Sequence, residues 1–262
     1  MNSLRRLLFS ILGLDRYLTV MRKMYFLMFN KGLLRGNRIY EWHYFVHHLI
    51  REGDIIIDIG ANMGYYSYIF AGLTGDRGQV YSVEPVMPLR RQLARQLKGR
   101  PNVTIIPFAL GNEAKAHIVL TVPDSYRDLG YLRHGLLSVT DDYEAGDGKY
   151  TFDANLCRGS QVFAALYRID YIKCDIEGHE ATVLQELGPL LKSHMPMVQV
   201  EIWNAEFEML VDFFRQLGYA AFKLNRQALV PLEVLPCGEQ TILDTLFVPP
   251  RHLARVQPFI AA

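Results

Sequence analysis

Cysteine is scarce in this 262-residue chain: Cys157, Cys174 and Cys237 lie far apart, and none forms a C-x-x-C pair. An odd, scattered set argues against a disulfide framework and a structural zinc site, and fits a reducing, cytoplasmic location. Charge of one sign is equally lacking. Lys and Arg number 28 against 27 Asp and Glu, a formal charge of +1, so no global positive field holds a nucleic-acid backbone and no nucleic-acid partner is expected. No apolar run reaches the ~20 residues of a membrane span. Internal repeats and linkers are also missing. What remains is a chain that is half hydrophobic and about one-fifth charged, the composition of a globular enzyme.

The first 50 residues read as a helical, basic, apolar extension, and residues 51–262 as one larger domain. Arg5 and Arg6 precede a short apolar run, but Asp15 and Arg16 interrupt it and no small-residue cleavage site follows. At helical period, Leu4, Leu7, Leu8, Ile11 and Leu18 form one stripe, which predicts a helix packed on the domain or on a second subunit. A second reading, favoured by Arg5, Arg6, Arg22 and Lys23, lays this helix on a membrane surface as a peripheral contact. A second helix is expected from Tyr40 to Ile50.

Beyond residue 54 the texture changes to short β-rich runs alternating with helical ones. Strands are predicted at Ile55–Ile59, Val80–Glu84, Val103–Ile106, His117–Val122, Tyr171–Asp175, Met197–Ile202, Ala220–Leu224 and Thr245–Val248. Helices are predicted at Tyr65–Leu73, Pro88–Leu97, Glu177–Leu191 and Glu206–Leu217. Alternation of this kind means an α/β fold, an open and mostly parallel sheet with helices on both faces. Ligands then bind outside the carboxyl ends of the strands, where strand order reverses.

Three strand ends carry the chemistry. After the first comes Asp58-Ile59-Gly60-Ala61-Asn62-Met63-Gly64-Tyr65. Its glycines permit a tight turn and close approach to the backbone, but it fits the dinucleotide pattern poorly and lacks the Lys and Ser/Thr of a phosphate-gripping loop. An acid with open backbone suits a cationic, phosphate-free nucleoside such as S-adenosylmethionine. After the second strand come Glu84 and Pro85; a carboxylate 20 residues past Gly64 is placed to accept both ribose hydroxyls, although an acid there is also a common helix cap. The third is Asp170-Tyr171-Ile172-Lys173-Cys174-Asp175-Ile176-Glu177-Gly178-His179-Glu180. Helix capping accounts for Glu177 and Glu180. It does not account for Asp175 leaving a buried strand two residues after Lys173 on the same face.

Together, I-I-D-I-G-A-N-M-G-Y-Y-S, V-E-P, A-L-G-N and D-Y-I-K-C-D-I-E-G-H-E resemble the FkbM family of S-adenosylmethionine-dependent methyltransferases over about residues 40–202. The resemblance implies a class I, Rossmann-like methyltransferase fold with seven strands, the last antiparallel. It implies a hydroxyl acceptor on a sugar, glycolipid or polyketide-type molecule. Carried over, Asp58, Gly60, Asn62 and Gly64, with Ala61 and Tyr65 beside them, line the methionine end of the cofactor. Glu84 and Pro85 hold the ribose, and Ala109 and Leu110 flank the adenine. Lys173, Asp175, Glu177 and Glu180 match the family's charged block, Glu201 matches a further acid, and Thr151-Phe152-Asp153 resembles a T-L-D segment. His179 departs from the family's usual Ala.

Methyl transfer to a hydroxyl needs an in-line acceptor and a base. Asp175 is the first candidate, His179 and Glu201 follow, and Lys173 tunes the carboxylate or orients the acceptor. Glu41, Glu177 and Glu180 are assigned to the acceptor, with Glu41 and Trp42 as part of a lid. Tyr126, Tyr131, His134 and Tyr143, within residues 124–160, are expected to build much of its pocket. Mg²⁺ held by Asp175, Glu177 and Glu201 is a less favoured alternative. His43 and His47 have metal-compatible spacing but lack a third ligand, so a packed or exposed helix face is the simpler reading. A rival from another class is a non-catalytic binding module on the same scaffold.

Overall fold

The computed structural model describes residues 2–121, 138–140, 151–176, 178–202, 204–232 and 243–261. Eight strands form the central sheet: β1 (Ile55–Ile59), β2 (Gln79–Val83), β3 (Val103–Ile106), β8 (Tyr171–Cys174), β9 (Met197–Ile202), β10 (Ala220–Asn225), β11 (Ala228–Pro231) and β12 (Leu243–Val248). Their spatial order is β11-β10-β12-β9-β8-β1-β2-β3. From β3 to β9 the strands run parallel, and β12 pairs antiparallel with both β9 and β10. The chain winds outward from β1 to β3, then crosses back to β8 on the other side of β1. The switch point therefore lies between β1 and β8, beside Asp58 and Lys173, which are register partners.

The eighth strand is an addition to the expected seven. β10 and β11 form a hairpin whose turn residues, Arg226 and Gln227, both have positive φ, 48° and 65°. Such turns usually advertise themselves with Asn-Gly or Gly-Gly; this one carries no glycine and was invisible to pattern reading. The Glu41 carboxylate accepts the Gln227 N–H at 2.6 Å and helps hold the turn.

A second sheet follows β3, in a stretch where pattern predicts only the strand His117–Val122. It comprises β4 (Ala109–Gly111), β5 (Lys115–Thr121), β6 (Ser138–Thr140) and β7 (Thr151–Arg158), in the order β4-β7-β5-β6. Thr151-Phe152-Asp153 begins β7, where Asp153 and His117 share an exposed hydrogen bond at 2.8 Å.

Alternate strand residues build the two faces of the core. Ile57, Ile59, Val198 and Val200 face one side, packed against α5 (Glu180–Glu186), α6 (Gly188–His194) and α7 (Asn204–Gln216). Ile56, Val80, Tyr171 and Met197 face α2 (Glu41–Leu49) and α3 (Tyr65–Thr74). The long helix expected over 177–191 is two short ones. Gly188-Pro189 separates them, because Pro189 has no N–H to continue the ladder and is accepted only in the first turn of the next helix.

Helix α1 (Asn2–Asn30) is broken at Gly13, where φ is 68°. The break ends the single stripe expected from periodicity: Leu8, Phe9, Leu12 and Leu14 pack inward, while Leu7 and Ile11 are 55% and 69% exposed. Beyond the break, Tyr17 and Leu18 are buried against Val86 and Leu89, the latter on α4 (Met87–Gln96). Arg22 donates to Gln92 and Gln96, and Asp15 pairs with Arg95 at 3.1 Å. The extension thus packs on the domain. Among the described residues no helix is long and apolar enough to cross a membrane.

Candidate active site

The loop after β1 is built around two glycines that nothing else replaces. Gly60 has φ +82°, and a Cβ there would sit 1.9 Å from the Asp175 carbonyl oxygen; Gly64 has φ +90° and would strike Leu93. Asn62 also adopts positive φ, 53°. Small size at these points lets the first loop press against the loop after β8 and opens the turn to a ligand.

Glu84, at the end of β2, is buried, and each of its oxygens accepts one backbone N–H: Oε2 from Asn62 and Oε1 from Val86, both at 2.8 Å. Burial pushes its carboxyl up to about 7, against the pull of those two bonds and of Arg90. Asp58 Oδ2 accepts from the Ser67 hydroxyl at 2.5 Å, whereas its Oδ1 has no hydrogen-bond partner. Burial raises Asp58 to about 6, with the nearby Lys173 ammonium opposing the shift.

Lys173 is the hub of the charged cluster. It is buried, contacts Asp175 Oδ2 at 2.7 Å and sits 4.5 Å above the centre of the Tyr66 ring. Burial alone would lower its pKa, but Asp175, Asp58 and Asp244 together hold it above the ordinary lysine value. Asp175 is likewise pushed up by burial, yet Lys173 and a hydrogen bond shared with Glu201 outweigh this and keep it below the usual aspartate range. Asp244, the register partner of Glu201, is raised to about 6 by burial despite Lys173.

One cavity of about 720 Å³ joins these groups. Asp58, Gly60, Ala61, Asn62, Tyr65, Glu84, Pro85, Ala109 and Leu110 line it, and so do Lys173, Asp175, His179 and Glu201. Of the expected cofactor residues only Gly64 lies outside the lining, behind the turn it shapes.

Two acceptor assignments are corrected by placement. Glu41 lies outside the cavity, spent on the β10–β11 turn. Glu180 is fully buried and turns back to accept the Ile176 and Gly178 N–H groups at 2.8 Å, a cap for its own loop. Trp42 is a core residue rather than a lid. Asp170 ties β8 to β1 by accepting the Ile55 N–H. Glu177, Tyr126, Tyr131, His134 and Tyr143 lie outside the described residues. The pair His43 and His47 does not converge, since His47 is exposed while His43 faces the cavity. Among the described residues no group of three His, Cys, Asp or Glu side chains is arranged to hold a metal.

The wall opposite the strand ends escaped the sequence reading. Met21, Tyr25, Met28, Leu34, Tyr40 and His43 all line the cavity. His43 stacks on Tyr66 with ring centres 4.3 Å apart, and burial with Lys173 nearby lowers it to about 3. An alternation of Met and Tyr at helical spacing reads as ordinary core, so its only signal was the excess of polar-tipped aromatics.

A protein-L-isoaspartate O-methyltransferase of Ignicoccus hospitalis is 34% identical over 59 residues, a stretch that spans 22% of this chain and only 28% of that one. The crystal structure of the methyltransferase FkbM from Methylobacillus flagellatus KT superimposes with a TM-score of 0.46 and 15% identity, covering 74% of this chain and 43% of that chain. That of a putative rRNA-methylase from Clostridium thermocellum gives 0.46 and 12%, covering 80% and 97%. The methyltransferase FkbM domain matches residues 58–221. With both site loops and the switch point inside that match, the chain belongs to the methyltransferase FkbM domain family.

Proposed function

We propose that the protein is an S-adenosylmethionine-dependent O-methyltransferase that acts on a hydroxyl of a small-molecule or glycan acceptor rather than on nucleic acid. The observation that carries this reading is the ionised Lys173–Asp175 pair, set in the same cavity as the Gly60 turn and Glu84. The residues suit that cofactor. Glu84 keeps one lone pair on each oxygen for a ribose hydroxyl, and Asp58 Oδ1 is free to face a cationic amino acid end. Ala109 and Leu110 offer an apolar slot. Lys173, the one Lys or Arg among the described lining residues, is tied to Asp175 and leaves no cation for a phosphate.

When bound, the cofactor supplies an electrophilic methyl group on a sulfonium. The chain's own task is to align an acceptor oxygen with that group and to take its proton as the carbon–oxygen bond forms and the carbon–sulfur bond breaks. Asp175, 33% exposed and turned to the cavity, takes the proton on a carboxylate oxygen. Lys173 keeps it ionised at neutral pH, Glu201 fixes its orientation through a hydrogen bond, and His179 lines the same end.

Asp175→Asn is therefore expected to lower kcat by 10² to 10⁴, as loss of a general base does, with S-adenosylhomocysteine affinity changed less than threefold. Unchanged turnover would move the base elsewhere. EDTA is expected to leave turnover unaltered; loss restored by Mg²⁺ would support the metal-assisted route instead. A binding module on this scaffold would bind cofactor and transfer no methyl group to any hydroxylated acceptor.

A further inference from the structure

The family match begins at residue 58, yet one wall of the cavity is built entirely from residues before it. Resting on the reading above, we propose that this wall is the acceptor subsite. It takes a hydroxylated molecule with a flat, apolar body, an aromatic or polycyclic alcohol rather than a free sugar, and engages it through the Tyr25 hydroxyl and His43 Nδ1.

Three observations converge. The first is polar atoms without partners. Among the described residues, four buried side-chain polar atoms lack a hydrogen bond, and three of them, Tyr25 Oη, His43 Nδ1 and Asp58 Oδ1, belong to residues lining this cavity. A buried donor or acceptor left unmade is unfavourable, so such atoms gathered in one chamber mark where a ligand's polar groups belong. Asp58 lies at the cofactor end. Tyr25, only 9% exposed, and His43 lie on the N-terminal wall.

The second observation is the shape of that wall. Tyr25, Tyr40 and His43 form a triangle of rings with centres 5.6–5.7 Å apart, Tyr65 closes on Tyr25 at 4.3 Å, and His43 stacks on Tyr66. Rings in contact at such spacings leave no slot between them, but the faces and edges that line the cavity accept a further flat ring by offset or edge-to-face contact. The third is its chemistry between the rings. Met21, Met24, Met28 and Leu34 supply thioether and aliphatic surface that gives a sugar's many hydroxyls nothing to bond, the Asn37 carboxamide oxygen beside them already accepts from the Ile39 N–H, and Met side chains adapt to irregular apolar bodies. The wall also meets the charged centre directly, since the Tyr66 ring under His43 carries Lys173 on it. An acceptor ring held there presents its hydroxyl toward Asp175. The imidazole, kept neutral by burial and Lys173, retains a lone pair for a second polar group of the acceptor.

The test is calorimetric titration of the full chain with 2-naphthol and with glucose, each with and without saturating S-adenosylhomocysteine. Saturable naphthol binding and no glucose binding are expected. Tyr25→Phe, which removes the hydroxyl that donates to the naphthol oxygen while that oxygen's own proton faces Asp175, should weaken naphthol about fivefold, the size of one lost hydrogen bond. Met24→Glu, at the half-exposed rim of the cavity, should weaken it at least as much. Both variants should bind S-adenosylhomocysteine like the wild type. Glucose binding, absence of naphthol binding, or naphthol affinity indifferent to both substitutions would each overturn the proposal. Failure of the wild type to bind S-adenosylhomocysteine would strike the methyltransferase reading instead, and the naphthol titration of the cofactor-free protein still reports on the wall.

Discussion

At residue scale the site depends on contacts too close for ordinary side chains. Gly60 lies against the Asp175 carbonyl, so the loop after β1 and the loop after β8 are one packed unit. Gly60→Ala is expected to destabilise the fold by about 3 kcal/mol, from left-handed strain plus the backbone clash, read as a shift in the denaturant midpoint. Glu84 adds a pH signature. On the proposed reading, ribose hydroxyls donate to the ionised carboxylate, which burial raises to about 7. Below that value a proton must leave before binding. Affinity for S-adenosylhomocysteine should therefore fall about tenfold from pH 8 to pH 6; a flat profile would mean that Glu84 does not meet the ribose. The glycine loop, Glu84 and the Lys-x-Asp strand end were legible in sequence because each combines strand chemistry with an acid out of place. His43 and Tyr25 were not, because helix-spaced aromatics have the same pattern whether they fill a core or line a chamber.

At the scale of elements, the parallel strands were readable from their β-branched runs, and several boundaries agree to within a residue. Elements fixed by tertiary partners were not. The β10–β11 hairpin relies on Glu41 from a distant helix to hold a turn without glycine, and β4 and β7 are short or mixed strands that pair with each other. The break at Gly13 decides which part of α1 the domain uses. Leu18, buried beyond the break, and Ile11, exposed before it, give a direct contrast. Leu18→Ala should lower stability by about 3 kcal/mol, and Ile11→Ala by less than about 0.5 kcal/mol, both read from chemical unfolding. Equal effects would mean that α1 packs differently.

At the scale of the whole molecule, the near-zero net charge conceals a division. Residues 1–38 contain eight basic side chains and one acid, a net of +7, while the rest of the chain carries 20 basic against 26 acidic, a net of −6. The basic end is also the one that lines the cavity and leaves Leu7 and Ile11 outward. On the proposal that α1 rests at a membrane surface, the protein should sediment with vesicles containing one-third phosphatidylserine and not with neutral ones, and release in high salt; recovery in the supernatant with both would remove membrane contact from the account. The central claim is narrower. It holds that the turn after β1 and the carboxylate after β2 form a nucleoside site in a methyltransferase cavity. Calorimetric titration with S-adenosylhomocysteine, run beside Glu84→Ala, tests it most directly. The account predicts micromolar, one-to-one binding to the wild type and at least a hundredfold loss in the variant; no binding to the wild type at millimolar ligand would contradict it.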